Sequence, residues 1–363
     1  MNLYKNKRII QWLLSVFVFL AVFINLFSQV SDIFRKKHTE SDMVRSLYYL
    51  EDNSIDVLAM GSSHLYYGYS PNKVWGEKGI TSFMLGDPAQ TMPIAYYLLR
   101  EALQFQKPKV LLLDSYSFYY DTFANTEGHL RIALDNIKLF HGLKLNLNKI
   151  EAVNAAMPDA SWQRKMTYLI PFSKYHTRWN ELTQKDFTPE NGAWLHGGRL
   201  DFSCEEFEKL PEKAIQEVQL YTIELEYLDK IRKLCEEKGI ELAFCFLPIA
   251  GEDESYYYEV QCMNATLKKY LEEQRISYLD VMEDPRVEIN YKTDFYNFGH
   301  LNYYGQEKAT GSIEDYLEQN FQLTDHRQDP EYEEWNEQYR TYLEKVKRGV
   351  GKRDTEEVEG ADE

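Results

Sequence analysis

"IDVLAMGSSHLYYGYSP", residues 55–71, is the stretch on which the reading of this chain turns. A largely apolar run from Ile55 to Met60 stops at Gly61 and gives way to Ser62, Ser63 and His64, with three tyrosines close behind. Glycine breaks a strand and serine caps a helix, so the run reads as a strand-to-helix turn. A serine in that place is also where an open sheet presents a nucleophile. The rest of the chain has to separate the two readings.

Apolar runs that end in small or polar residues recur at 109–114, 241–247 and 277–281. Helical periodicity fills 91–106, 213–238, 255–274 and 303–320. Near-continuous apolar strands separated by helices predict an α/β fold, a three-layer open parallel sheet with right-handed crossovers. Such sheets bind ligands outside the carboxyl ends of their strands, and Ser63 stands at that edge. Residues 122–212 break the alternation with weak helical signals and the loop NGAWLHGG, and are expected to form an insertion over the carboxyl edge. The domain is expected over 49–322, succeeded by 323–363: a polar helix at 331–348, then the acidic, solvated tail RDTEEVEGADE.

In front lies IIQWLLSVFVFLAVFINLFSQV, residues 9–30, uncharged and long enough to span a bilayer, with Trp12 near one end. It lacks the short apolar core and small-residue exit of a cleaved signal, so a retained transmembrane anchor is expected. Residues 1–8 are expected on the cytoplasmic side, 31–48 as a connector, and the bulk of the chain outside the cell membrane.

The 363 residues are 44% hydrophobic, enough for a real core. A formal charge of -17 repels polyphosphate and argues against nucleic acid. Cys204, Cys235, Cys245 and Cys262 form no CxxC pair, which argues against a zinc site and leaves a Cys204–Cys262 bridge open. Aromatic-rich loops suit sugar or polymer surfaces and equally suit a plain rim. His176, Arg178 and Trp179 could read an anionic or sugar group, or simply pack a helix.

A serine needs a base within hydrogen-bond reach, and histidine is the usual one. Of eight histidines, His300 stands out: it lies in KTDFYNFGHLNYYG, after the last strand and before the last helix, at the same sheet edge as Ser63. His64 is expected to point away from the neighbouring serine.

GSSH after the first strand, with DFYNFGHLNYYG near the end, resembles the SGNH/GDSL hydrolase superfamily over roughly residues 50–320. Within it the likeness is to membrane-anchored proteins of cell-envelope O-acylation: the alginate O-acetylation proteins and the lipoteichoic-acid D-alanylation protein. The resemblance implies a flavodoxin-like sheet, Ser63 as nucleophile, Ser62 in place of the family's Asp, and His300 as base. It places the family's acid at Asn297, with Asp294 the nearest carboxylate substitute. The family's glycine block becomes MLGDPAQTMP, leaving Gly86 or Ala89 as backbone oxyanion donor, since Pro88 has no N–H. The activity implied is O-acyl transfer, acetyl first, to a cell-envelope polysaccharide or teichoic-acid-like polymer. A membrane-bound O-acyltransferase is the implied partner, and no cofactor or metal is required. A carbohydrate esterase of the same fold and a non-catalytic polymer-binding subunit remain the alternatives.

Overall fold

Strands form where apolar side chains alternate between two buried faces. In β1 (Val57–Gly61), Leu58 and Met60 face one side of the sheet while Val57 and Ala59 face the other. The same alternation runs through β3 (Val110–Asp114) and β4 (Glu241–Phe246). Each buried Leu or Met contributes roughly 1.5–3 kcal/mol, so these strands anchor the fold. With β2 (Ser82–Gly86) and β5 (Ser277–Asp280) they make a five-stranded, wholly parallel sheet of order β2-β1-β3-β4-β5. The three-layer α/β architecture expected from sequence is therefore the one observed. The structure, a computed structural model, describes residues 2–35, 41–86, 88–119, 140–187, 206–209 and 211–349.

Helices α5 (Met92–Ala102), α9 (Thr222–Lys238) and α10 (Glu254–Glu273) cover one face. Helices α3 (Ser63–Gly68), α4 (Pro71–Lys78) and α11 (Tyr303–Asn320) contribute to the other. The polar terminal helix α12 (Glu333–Gly349) packs on α4, where Trp335 meets Trp75. Strand β2 escapes the sequence pattern because SFMLG is short and sits at the sheet edge, with Ser and Gly at its ends. The helix expected from 213 starts only at Thr222.

The chain leaves β1 for β2 on one side and returns past β1 to β3 on the other. That reversal opens a crevice beyond the carboxyl ends of β1 and β3, where Ser62 and Ser63 come directly after Gly61. Gly61 is required by close approach: a Cβ there would stand 2.3 Å from Asp114 Cβ on the adjoining strand.

Helix α1 (Asn2–Phe34) contains one segment, Lys7–Phe34, long and apolar enough to cross a membrane, none of it packed inside the protein over its most apolar window. Its last turn is different: Ser31 and Arg35 are buried against the globular part. The described portion of the insertion comprises α6 (Leu147–Ala156), α7 (Trp162–Leu169), α8 (Pro171–Tyr175) and 3-10 turns at His176–Asn180 and Gln184–Phe187. Helix α6 packs along α5, with Asn148 donating to the Tyr97 carbonyl and to Glu101, and α8 packs against α1. This described portion therefore packs on α5 and on α1. NGAWLHGG and the acidic tail lie outside the described residues.

Candidate active site

Ser62 is extended and caps α3, accepting from the His64 N–H, so Ser63 becomes the first residue of the helix. The Ser62 hydroxyl and N–H both donate to the buried Asp114 carboxylate, which also accepts from Tyr116 N–H at 2.9 Å. Burial pushes the Asp114 carboxyl up to about 6, against these three donors, which favour the ionised form. Asp114 thereby locks the turn that carries Ser63. Ser62, which the resemblance sets in the place of an Asp, is bound into that lock.

The second half of the site comes from a small hairpin. Strand β6 (Phe295–Asn297) and β7 (His300–Leu301) pair antiparallel, with Asn297 opposite His300 across Phe298 and Gly299. Asn302 caps α11 and donates its amide to the carbonyls of Thr293 and Phe295, fixing the base of the hairpin. The Phe298 carbonyl at its tip accepts from Ala250 and Gly251 N–H, tying the tip to the loop after β4. Sequence reading gives Asn302 no role; an Asn directly before a helical run is its only signal.

These two halves meet. Ser63 Oγ lies 2.7 Å from His300 Nε2, and His300 Nδ1 lies 2.8 Å from Asn297 Oδ1. The Gly299 N–H also donates to Asn297 Oδ1 at 3.0 Å. A backbone N–H can only donate, so the atom it faces must be the amide oxygen. That fixes the tautomer: Nδ1–H donates to Asn297, and Nε2 is left to accept the Ser63 proton. Burial holds the His300 imidazole down at about 4, so it is a neutral base at neutral pH.

Asp294, the carboxylate substitute, does not stand behind the ring. Its buried side chain accepts from Lys308 Nζ at 2.6 Å, Asn290 N–H at 2.8 Å and Thr293 Oγ1 at 3.0 Å. It braces the loop that leads into the hairpin. The three-residue spacing of Asn297 and His300 places them as cross-strand partners, which the six-residue spacing of Asp294 does not.

The oxyanion candidates also separate. Gly86 ends β2, and its N–H points at Met43 Sδ, 3.1 Å away, so it is committed to the connector helix α2 (Ser41–Ser46). Ala89 lies in the turn after β2 at φ +53, a left-handed conformation unusual for a residue with a Cβ.

His64 does not turn away from the site. Its ring stacks on Tyr116 at 3.6 Å and sits 5.3 Å from His300. Burial, and then the neighbouring His300, hold it well below the ordinary imidazole range. Tyr67 closes the other side, its ring 4.6 Å from that of His300.

His176, Arg178 and Trp179 lie elsewhere, and Arg178 is occupied. Its guanidinium donates to the Phe34 carbonyl at 2.9 Å, the Arg35 carbonyl at 3.0 Å, Asp186 at 3.2 Å and Glu181 at 3.3 Å. It caps the carboxyl end of α1 rather than reading an anion. Cys235, Cys245 and Cys262 are free thiols, and Cys204, the other half of the bridge left open by the sequence, lies outside the described residues. Among the described residues no group of three His, Cys, Asp or Glu is placed to hold a metal ion.

No protein-family model matches the chain, and no curated protein does. Solved structures do. A candidate acylhydrolase from Bacteroides fragilis NCTC 9343 is 11% identical, over 76% of this chain and 94% of that one, at a TM-score of 0.35. A GDSL-like lipase from Bacteroides thetaiotaomicron is 12% identical over 72% and 87%, at 0.33. The lipase/acylhydrolase from Enterococcus faecalis is 9% identical over 74% and 99%, at 0.34.

Proposed function

We propose that the chain is a serine acyl-transfer enzyme of the SGNH/GDSL type, anchored in the cell membrane with its site outside, that moves an O-acyl group through an acyl-Ser63 ester. The observation that carries this reading is the continuous Ser63–His300–Asn297 relay at the carboxyl end of β1. In the first half-reaction Ser63 Oγ attacks the acyl carbonyl while its proton passes to His300 Nε2. The tetrahedral carbon then expels the donor's oxygen, which takes the proton back from His300. In the second half an acceptor hydroxyl gives its proton to His300 and attacks the Ser63 ester, freeing the serine. Asn297 holds the ring in the tautomer both halves need. Ala89, the oxyanion donor that the resemblance implies beside Gly86, lies in the strained turn next to β2, in keeping with the tendency of such strain to gather at working sites.

A neutral amide behind the histidine orients the ring and does little for the imidazolium. That suits a reactive acyl donor supplied by a membrane-bound O-acyltransferase and a sugar or polyol hydroxyl of a cell-envelope polymer as acceptor, with acetyl the first group to test. With water as acceptor the same relay is an esterase.

The test is intact-mass spectrometry of the full chain in detergent after brief exposure to p-nitrophenyl acetate, beside Ser63→Ala and His300→Ala. One acetyl adduct that needs both residues supports the reading. Absence of an adduct in the unaltered chain, or one indifferent to Ser63, overturns it. Decay of the adduct in water, against its decay with added oligosaccharide, separates esterase from transferase.

A further inference from the structure

The described helices of the insertion grip the anchor. Phe172 of α8 packs edge-on against Phe27 at 5.5 Å and Phe34 at 5.2 Å, two α1 rings seven residues and so about 10 Å apart along the helix. Its N–H donates to Ser31 Oγ at 3.0 Å, and Arg178 closes the helix end. Phe27 continues a stacked ridge of Phe19 and Phe23 and lies within the apolar run that ends at Val30. Those 22 residues, 9–30, measure about 33 Å at helical rise, against a hydrocarbon core of about 30 Å. Phe172 therefore sits at the depth where the bilayer ends.

Around this contact the insertion exposes large apolar rings. Trp179 is 72% exposed and Phe187 59%, and both belong to 3-10 turns in contact with α1. Tryptophan gathers at membrane interfaces because one part of its ring is apolar and another donates a hydrogen bond. Charge agrees. Residues 140–187 carry seven Lys and Arg against four Asp and Glu, in a chain of net charge -17. Of the basic residues, Lys149 is buried and Arg178 is held by Asp186 and Glu181, while Lys144, Arg164 and Lys174 are exposed, a local basic excess that suits an anionic lipid surface.

We propose that residues 171–187 form a membrane-seated platform, in which Trp179 and Phe187 enter the interfacial layer of the bilayer beside the point where α1 leaves it. The occupant is the phospholipid surface itself. The inference rests on reading α1 as a membrane anchor. Its consequence is mechanical: with Arg178 clamping the helix end and the rings seated in lipid, the domain is mounted at a fixed attitude instead of swinging on a tether. Ser63 is thereby held at a set height above the membrane.

The test is fluorescence quenching of the full-length chain in phosphatidylcholine/phosphatidylglycerol vesicles, with bromines placed on the acyl chains close to the headgroups. Unaltered protein is compared with Trp12→Phe and Trp179→Phe, each keeping an aromatic ring. The platform requires that Trp179→Phe lose a distinct share of the quenched signal, separate from the share lost by Trp12→Phe. If Trp179→Phe quenches like the unaltered chain while Trp12→Phe loses signal, the anchor holds and the platform is wrong. If neither substitution changes the quenching and the protein does not float with the vesicles, the anchor reading falls, and the platform with it.

Discussion

Replacing Asn297 by Asp puts a carboxylate 2.8 Å from His300 Nδ1, on an atom whose position the Gly299 N–H already fixes. Unit charges about 4 Å apart attract by about 4 kcal/mol at an effective dielectric of about 20. Burial of the new carboxylate cancels part of that gain. Carboxylate–cation neighbours typically move a pKa by about 1–3 units, so His300 rises from about 4 to roughly 5–7. The proposed acylation of Ser63 needs the neutral ring, so its rate should fall as pH drops through the His300 pKa. The unaltered chain is then half-active near pH 4, and Asn297→Asp moves that limb upward by the same shift. Above the limb the reaction gains, because the imidazolium that develops in the transition state now has a counter-charge. One unit is about 1.4 kcal/mol for the fully formed imidazolium, so each unit raises the rate at pH 8 by up to about tenfold. The assay is quenched-flow intact-mass measurement of acetyl-Ser63 formation from p-nitrophenyl acetate between pH 3.5 and 8. An acid limb that stays near pH 4 in Asn297→Asp, with no gain at pH 8, would refute the proposed role of Asn297 behind the His300 ring.

Asn297→Ala should lower the same rate by roughly 100-fold or more, since Nδ1–H loses its acceptor and the productive tautomer is no longer selected; comparison with Asn297→Gln in the same assay checks it. Gly61→Ala should destabilise the chain by about 1–3 kcal/mol, because the added methyl meets Asp114 Cβ at 2.3 Å; thermal melts measure this. Arg178→Ala strips the Phe34 and Arg35 carbonyls of their donor and leaves the buried Asp186 short of its partner, at a cost of about 2–4 kcal/mol; amide exchange at residues 31–35 should speed up. His141 is held down at about 3, first by burial and then by the charges of Lys174, Lys149 and Arg35. Its folded pKa is below the ordinary 6.5, so the stability linked to the neutral ring is complete above pH 6.5 and is lost as pH falls toward 3. Urea unfolding at pH 7 and pH 4.5 should differ by less in His141→Gln than in the unaltered chain.

Much of the frame is legible in the sequence because its signals are local. An apolar run closed by glycine is a strand whatever surrounds it, and the period of 303–320 gives a helix with the observed ends. A glycine is dictated at 61 by the residue across from it on β3, however, and no single stretch displays that contact. The short edge strand β2 is missed for a related reason: its burial comes from its neighbour β1 and the overlying helices, not from a run of its own.

The site divides along the same line. Sequence order alone sends Ser63 and His300 to one edge of a parallel sheet, since both come after strands, at their carboxyl ends. It does not decide between Asp294 and Asn297 behind the ring. The hairpin decides, by pairing Asn297 with His300 while Lys308, Asn290 and Thr293 engage Asp294. The Gly86 N–H is taken by a methionine 43 residues earlier, and Arg178 by carbonyls 143 and 144 residues earlier. Periodicity and turn chemistry are short-range properties of a chain, and a sequence carries them openly. The partner of a polar group is chosen among segments that meet only after folding, so tertiary structure alone assigns it.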